Sequence, residues 1–125
     1  MKRYDKTNIK DLKNAIYYSN VHDAQLGKVE YDCDNQILDV KAFEFINKHE
    51  INFIFAEVEL VLYMHNQEMP THDPKTIISF SVENDYSYLN NYIKHYNNES
   101  ALYFVFQMLN GDELHIISNT IEIRL

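Results

Sequence analysis

The chain has 125 residues, 46% of them apolar, and 19 acidic against 11 basic side chains give a formal net charge of −8. That balance disfavours nucleic acid as the main partner, because phosphate contacts need clustered Lys and Arg. The only cysteine, Cys33, excludes a disulfide framework or a cysteine-built zinc site within these residues, and two glycines leave no room for a phosphate-cradling loop.

The length fits one domain over residues 1–125, with no linker, repeat or low-complexity tract dividing it. No run approaches the roughly 20 apolar residues of a membrane-crossing helix, and the first residues lack the apolar core of a secretory signal. The expectation is a cytoplasmic protein with no membrane partner. Residues 1–13 carry five basic and two acidic side chains, so the remainder holds a net charge of −11. A basic first segment of this kind packs on the acidic body or reaches another chain.

Thr7 or Asn8 can cap a helix over about residues 8–18, where Ile9, Leu12, Ala15 and Ile16 fall at helical spacing. From His22 to Tyr31 the period changes to two. Ala24 and Leu26 differ in parity from Val29 and Tyr31, and a β-bulge at Gly27 places all four on one face. Asp32–Asn35 reads as a turn, and a strand follows from Gln36 to Phe45. Ile51–Met64 is the longest apolar stretch. Its even positions, Ile54 through Met64, are all apolar; its odd positions mix Phe53, Phe55, Val61 and Tyr63 with Glu57 and Glu59. That pattern predicts a central antiparallel strand with partial cover on its second side.

His65–Lys75 contains both prolines and reads as a loop, with a strand over Thr76–Val82 after it. Residues 85–97 predict a second helix capped by Asp85. Ala101–Leu109 alternates Leu102, Phe104, Phe106 and Met108 against Tyr103 and Val105. Asn110-Gly111 then predicts a type I′ hairpin turn, with a partner strand over Leu114–Ile117. Ser118-Asn119 breaks the pattern before a last strand over Thr120–Leu125. The fold class expected is α+β: an N-terminal helix, then a mainly antiparallel sheet of about six or seven strands, with a second helix near 85–97.

The candidate chemistry is sparse. His22-Asp23 and His72-Asp73 are two His-Asp pairs of the residue types that a hydrolytic divalent-metal site uses. Neither pair has the i, i+4 spacing of two ligands on a helix, and residues of these types also bond local backbone. The alternative reading they support is a metal-dependent hydrolase using His22, Asp23, His72 and Asp73. Cys33 lies between Asp32 and Asp34, whose charges oppose thiolate formation, and no serine has a nucleophile-elbow context. Glu57 and Glu59 stand two residues apart on one strand face, as paired carboxylates or as a solvated face. No cofactor is expected.

Ten tyrosines are the main excess, with Tyr86, Tyr88, Tyr92 and Tyr96 inside eleven residues. On a helix, Tyr88, Tyr92 and Tyr96 form a stripe beside Leu89 and Ile93. A tyrosine combines apolar area with a polar tip, which suits a protein interface as well as a half-buried cover over a sheet. With the acidic charge, these residues and Glu57 and Glu59 are the candidate surface for a partner protein, one with a basic face. An apolar C-terminal strand also allows pairing into a homodimer.

The stretch NVHDAQLGKVEYDCDNQILDVKAFEF resembles the opening of many small uncharacterised bacterial β-rich domains. FAEV (Phe55–Val58) and GDELHI (Gly111–Ile116) are similar to later parts of that pattern. Some such domains are immunity proteins that neutralise a toxin by binding it. The resemblance implies a non-enzymatic binding module of the immunity or inhibitor type, and it brings no catalytic residue with it.

Overall fold

The computed structural model describes residues 2–65, 75–83 and 99–125. Among them are one α-helix, α1 (Ile9–Tyr18), and seven strands. The strands are β1 (Arg3–Tyr4), β2 (Gln25–Asp32), β3 (Ile37–Glu44), β4 (His49–Met64), β5 (Ile77–Glu83), β6 (Leu102–Met108) and β7 (Glu113–Arg124). All pair antiparallel in one sheet of order β2-β3-β4-β7-β6-β5, and β1 continues the β6 side of β7 through Arg3–Glu122 and Tyr4–Ile121. The α+β class with an N-terminal helix is therefore the observed one. The second helix expected over 85–97 lies outside the described residues.

The two ends of the sheet meet. A bridge pairs Gln25 with Thr76, and Asp23 N and Leu26 N donate to the carbonyls of Ile77 (2.8 Å) and Lys75 (3.0 Å). Ile77 N donates in return to Ala24 O at 2.8 Å. The sheet is thus rolled into a barrel, which removes part of the exposed edge that an open sheet leaves. Phenylalanines fill the interior. Phe53, Phe55, Phe104 and Phe106 are fully buried, and Phe80 stacks on Phe106 with ring centroids 3.9 Å apart. Helix α1 adds Leu12 and Ile16 to the same core.

Local sequence explains the start of the chain, with one shift in the cap. Asn8 stands at the N-cap of α1, one of the two expected positions, without a side-chain cap bond. The capping box belongs to the turn before it: the Asp5 carboxylate accepts from Thr7 N (2.8 Å) while Asn8 Oδ1 accepts from Asp5 N (2.7 Å). That 3₁₀ turn, Lys6–Asn8, leads into α1. The basic segment packs on the body, for Lys6 Nζ donates to the Glu99 carbonyl at 2.5 Å.

The bulge expected at Gly27 is present, between Leu26 and Val29. A Cβ there would stand 3.3 Å from the Lys41 carbonyl oxygen, so glycine lets the two strands approach.

Strand β4 corrects the expected faces. The core takes Ile51, Phe53 and Phe55, then Val58, then Val61 and Tyr63, while Leu60 and Leu62 join a second cluster with Tyr103, Val105 and Ile117. The all-apolar even positions are therefore not the core face. The reason is a bulge: Glu57 has a left-handed backbone (φ 53°) and the register shifts between Val58 and Leu60. Strand β7 switches faces at the same level, from Leu114 and Ile116 to Ile121 and Ile123 across Ser118–Thr120. The expected break at Ser118-Asn119 is this change of face within one continuous strand.

The Asn110-Gly111 hairpin is also built differently. A type I′ turn needs positive φ at both residues, and here only Gly111 has it, at 96°. Asn110 instead uses its side chain, whose Oδ1 accepts from Asp112 N at 2.9 Å. The result is a longer loop, Leu109–Asp112, closed by Met108 N donating to Asp112 O.

Candidate functional site

A groove of about 780 Å³ runs along the second edge of β5, the edge turned away from β6. Its opposite wall is the last turn of α1 and the segment that follows, and Ile46 closes it from the β3–β4 turn. Phe80 and Val82 of β5 point into the core, which leaves the strand's backbone edge and its outward residues to line the groove. A bulge between Ile77 and Ser79 makes Ile78 the extra residue and turns it outward. Among the described residues, no strand pairs with this edge beyond the bridge at Thr76.

Large apolar side chains are exposed around this groove. Tyr17 is 77% exposed, Ile46 78%, and Tyr18 and Ile78 also stand open to solvent. Tyr17 and Tyr18 pack edge to face at 5.2 Å, and Phe45, next to Ile46, packs the same way on Phe43 at 4.9 Å. Four apolar residues from three separate segments thus converge on one open strand edge, the kind of patch that marks an interaction surface. Lys13, Asp23 and Glu83 supply its charge.

The turn that presents Ile46 is fixed from inside. The buried carboxylate of Glu44 accepts from Ile46 N (2.5 Å) and Asn47 N (3.0 Å) and pairs with His49 Nδ1 at 3.2 Å. Such a carboxylate satisfies the turn's amides and holds the tip in one conformation.

Of the sequence-predicted residues that are described, His22 and Asp23 line this groove and the glutamates lie elsewhere. The register shift between Val58 and Leu60 falls at these glutamates, and Glu57 lines a polar crevice of about 400 Å³ with Asp5, Lys6, Glu99 and Asn119. There Asn119 Nδ2 donates to Glu57 Oε2 at 2.6 Å. His22 and Asp23 pair with each other, Nδ1 to Oδ2 at 3.2 Å, at the rim of the apolar groove. His72, Asp73, Tyr86, Tyr88, Tyr92 and Tyr96 lie outside the described residues. Among those described, no group of three or more His, Cys, Asp or Glu is arranged to hold a metal ion, and no helix is long and apolar enough to cross a membrane.

Two further polar clusters escaped the sequence reading. Asp112, at the β6–β7 loop, accepts from Tyr63 Oη at 2.8 Å and pairs with His65 Nδ1 at 3.3 Å. Burial, the bond to Asp112 and its charge all push the Tyr63 hydroxyl's pKa well above the ordinary tyrosine range. On the outer face, the Tyr103 hydroxyl lies 2.5 Å from His115 Nδ1, and Nε2 of that buried ring lies 3.0 Å from Glu113. The Tyr103–His115 contact joins neighbouring strands, β6 and β7, which no spacing along one strand announces; Glu113 and His115 stand two apart on one face of β7.

No protein-family model matches the chain, and comparison with curated proteins finds no match.

Proposed function

We propose that this chain is a non-enzymatic protein-binding module whose partner occupies the groove beside β5. The observation that carries this reading is the convergence of exposed Tyr17, Tyr18, Ile46 and Ile78 on an open strand edge. Apolar area of that kind is costly to leave in water, and in interfaces it forms the central, desolvated contacts. The net charge of −8 favours a partner with a basic surface, by raising the association rate and excluding acidic competitors. An immunity or inhibitor protein of the cytoplasm, which neutralises its target by occupying it, fits these properties.

The test is capture of the partner from source cells by tagged protein, compared across two double variants. Tyr17→Ser with Ile46→Ser removes exposed groove side chains, whose loss costs folding little. Tyr88→Ala with Tyr92→Ala removes the tyrosine surface that the sequence suggests. Loss of one stoichiometric partner in the first variant, with the fold retained, supports the groove. Loss only in the second moves the interface to the tyrosines.

A further inference from the structure

We infer that the groove takes its partner as an added β-strand: an extended segment with alternating apolar residues and basic residues at both ends, paired to the edge of β5 that no described strand occupies. This rests on the protein-binding reading above and specifies the partner's form. The edge available is Ile78–Glu83, about 17 Å long at the usual rise per residue, which matches one ordinary strand. Main-chain bonds to that edge would supply affinity without regard to sequence, and alternate side chains would fill the apolar wall. The wall already offers the places: Tyr17 and Ile46 on the far side, Ile78 on the near side.

Charge selects the occupant. Asp23 sits at the start of the edge, where its amide bonds the Ile77 carbonyl, and Glu83 sits at the far end. Among the described lining residues the one lysine, Lys13, stands across the groove on α1, and His22 pairs with Asp23. The edge is thus bracketed by two carboxylates on a body of charge −8, which suits Lys or Arg flanking the incoming strand. A second copy of this chain would bring the same carboxylates and the same net charge, and would be repelled.

The probes are two synthetic peptides of about eight residues, long enough for one strand. One alternates isoleucine and lysine; the other alternates isoleucine and glutamate. Backbone amide exchange of the full chain is followed residue by residue with each. The expected result is that the lysine peptide slows exchange at Ile78–Glu83 by about tenfold or more, in a salt-sensitive way, and the glutamate peptide does not. Ile78→Lys, which places a charge at the edge, should abolish the effect without unfolding the chain. Perturbation of Tyr17 and Ile46 without protection of the β5 amides would overturn strand addition and leave the groove as the binding site. Equal protection by both peptides would overturn the charge selection. Protection of β5 by raising the protein concentration alone would assign the edge to a second copy. No response anywhere along the groove would overturn both this inference and the reading beneath it.

Discussion

Gln25 and Thr76 form a bridge that joins the β2 and β5 ends of the rolled sheet. On one side of that bridge the sheet is closed; on the other, β5 continues through Glu83 with its second edge lining a groove. Closure along this short seam, from Asp23–Ile77 to Leu26–Lys75, therefore does two things. It seals the phenylalanine core and leaves a strand edge that, among the described residues, no strand pairs with.

The core and the exposed tip should respond oppositely to the same kind of truncation. Phe106 is fully buried among Phe53, Phe55 and Phe80, so Phe106→Ala should cost about 3–5 kcal/mol, transfer and cavity effects together. Phe45 is more than half exposed, and Phe45→Ala should change stability by less than about 0.5 kcal/mol. Urea unfolding of the two variants checks both values.

The bulge in β4 makes a conformational prediction. A left-handed backbone is unfavourable for a β-branched residue and free for glycine. Glu57→Val should therefore destabilise by about 1–2 kcal/mol. Glu57→Gly should stay within about 0.5 kcal/mol of the parent, because relief of strain offsets the lost bond to Asn119 and the added freedom of the unfolded chain. Equal losses in both, measured by denaturant midpoint, would show that the carboxylate matters and the backbone does not.

Tyr63 predicts a stability loss in alkali. Its native pKa is raised, chiefly by burial and then by Asp112, so its neutral form is favoured in the folded state. That contribution is fully present below the unfolded value of about 10 and is lost as pH rises towards the native one. Between about pH 9 and pH 11 the parent should lose more stability than Tyr63→Phe, whose ring cannot ionise. Parallel urea midpoints across that range decide it.

Asp32 predicts the opposite sign in acid. Its pKa is lowered, first by the Asn35 side chain at 2.7 Å and then by the amides of Asn35 and Asp34. The stabilisation is present above the ordinary carboxylate value and disappears as pH falls through the lowered native value. Asp32→Ala should thus be less stable than the parent at neutral pH, with the gap closing near pH ~2. A gap independent of pH in thermal unfolding would contradict this.

Much of the architecture is legible in the residues, and its failures have physical causes. The α1 stripe, the Gly27 bulge, the Asp32 turn and the two faces of β6 all follow from local periodicity and turn chemistry. The faces of β4 do not, because a bulge at a glutamate carries no glycine or proline to signal it. Asn110-Gly111 marks the right hairpin with the wrong turn, since the Asn110 side chain competes by capping Asp112. The groove left traces that periodicity discards: Tyr17-Tyr18 beyond the buried stripe of α1, and a turn reading Phe45-Ile46 where polar residues are usual. Convergence of these with Ile78 depends on the rolled sheet, which no single segment encodes.

The most direct test places a photo-crosslinking amino acid at Ile78, at Ile46 and, as a control, at Asp34 in the β2–β3 turn, which does not line the groove. Irradiated in the source cells, the chains carrying the probe at 78 and at 46 should form an adduct with one and the same protein, and the chain carrying it at 34 should not. Adducts only from position 34, or different proteins from 78 and 46, would contradict a groove built to hold one partner.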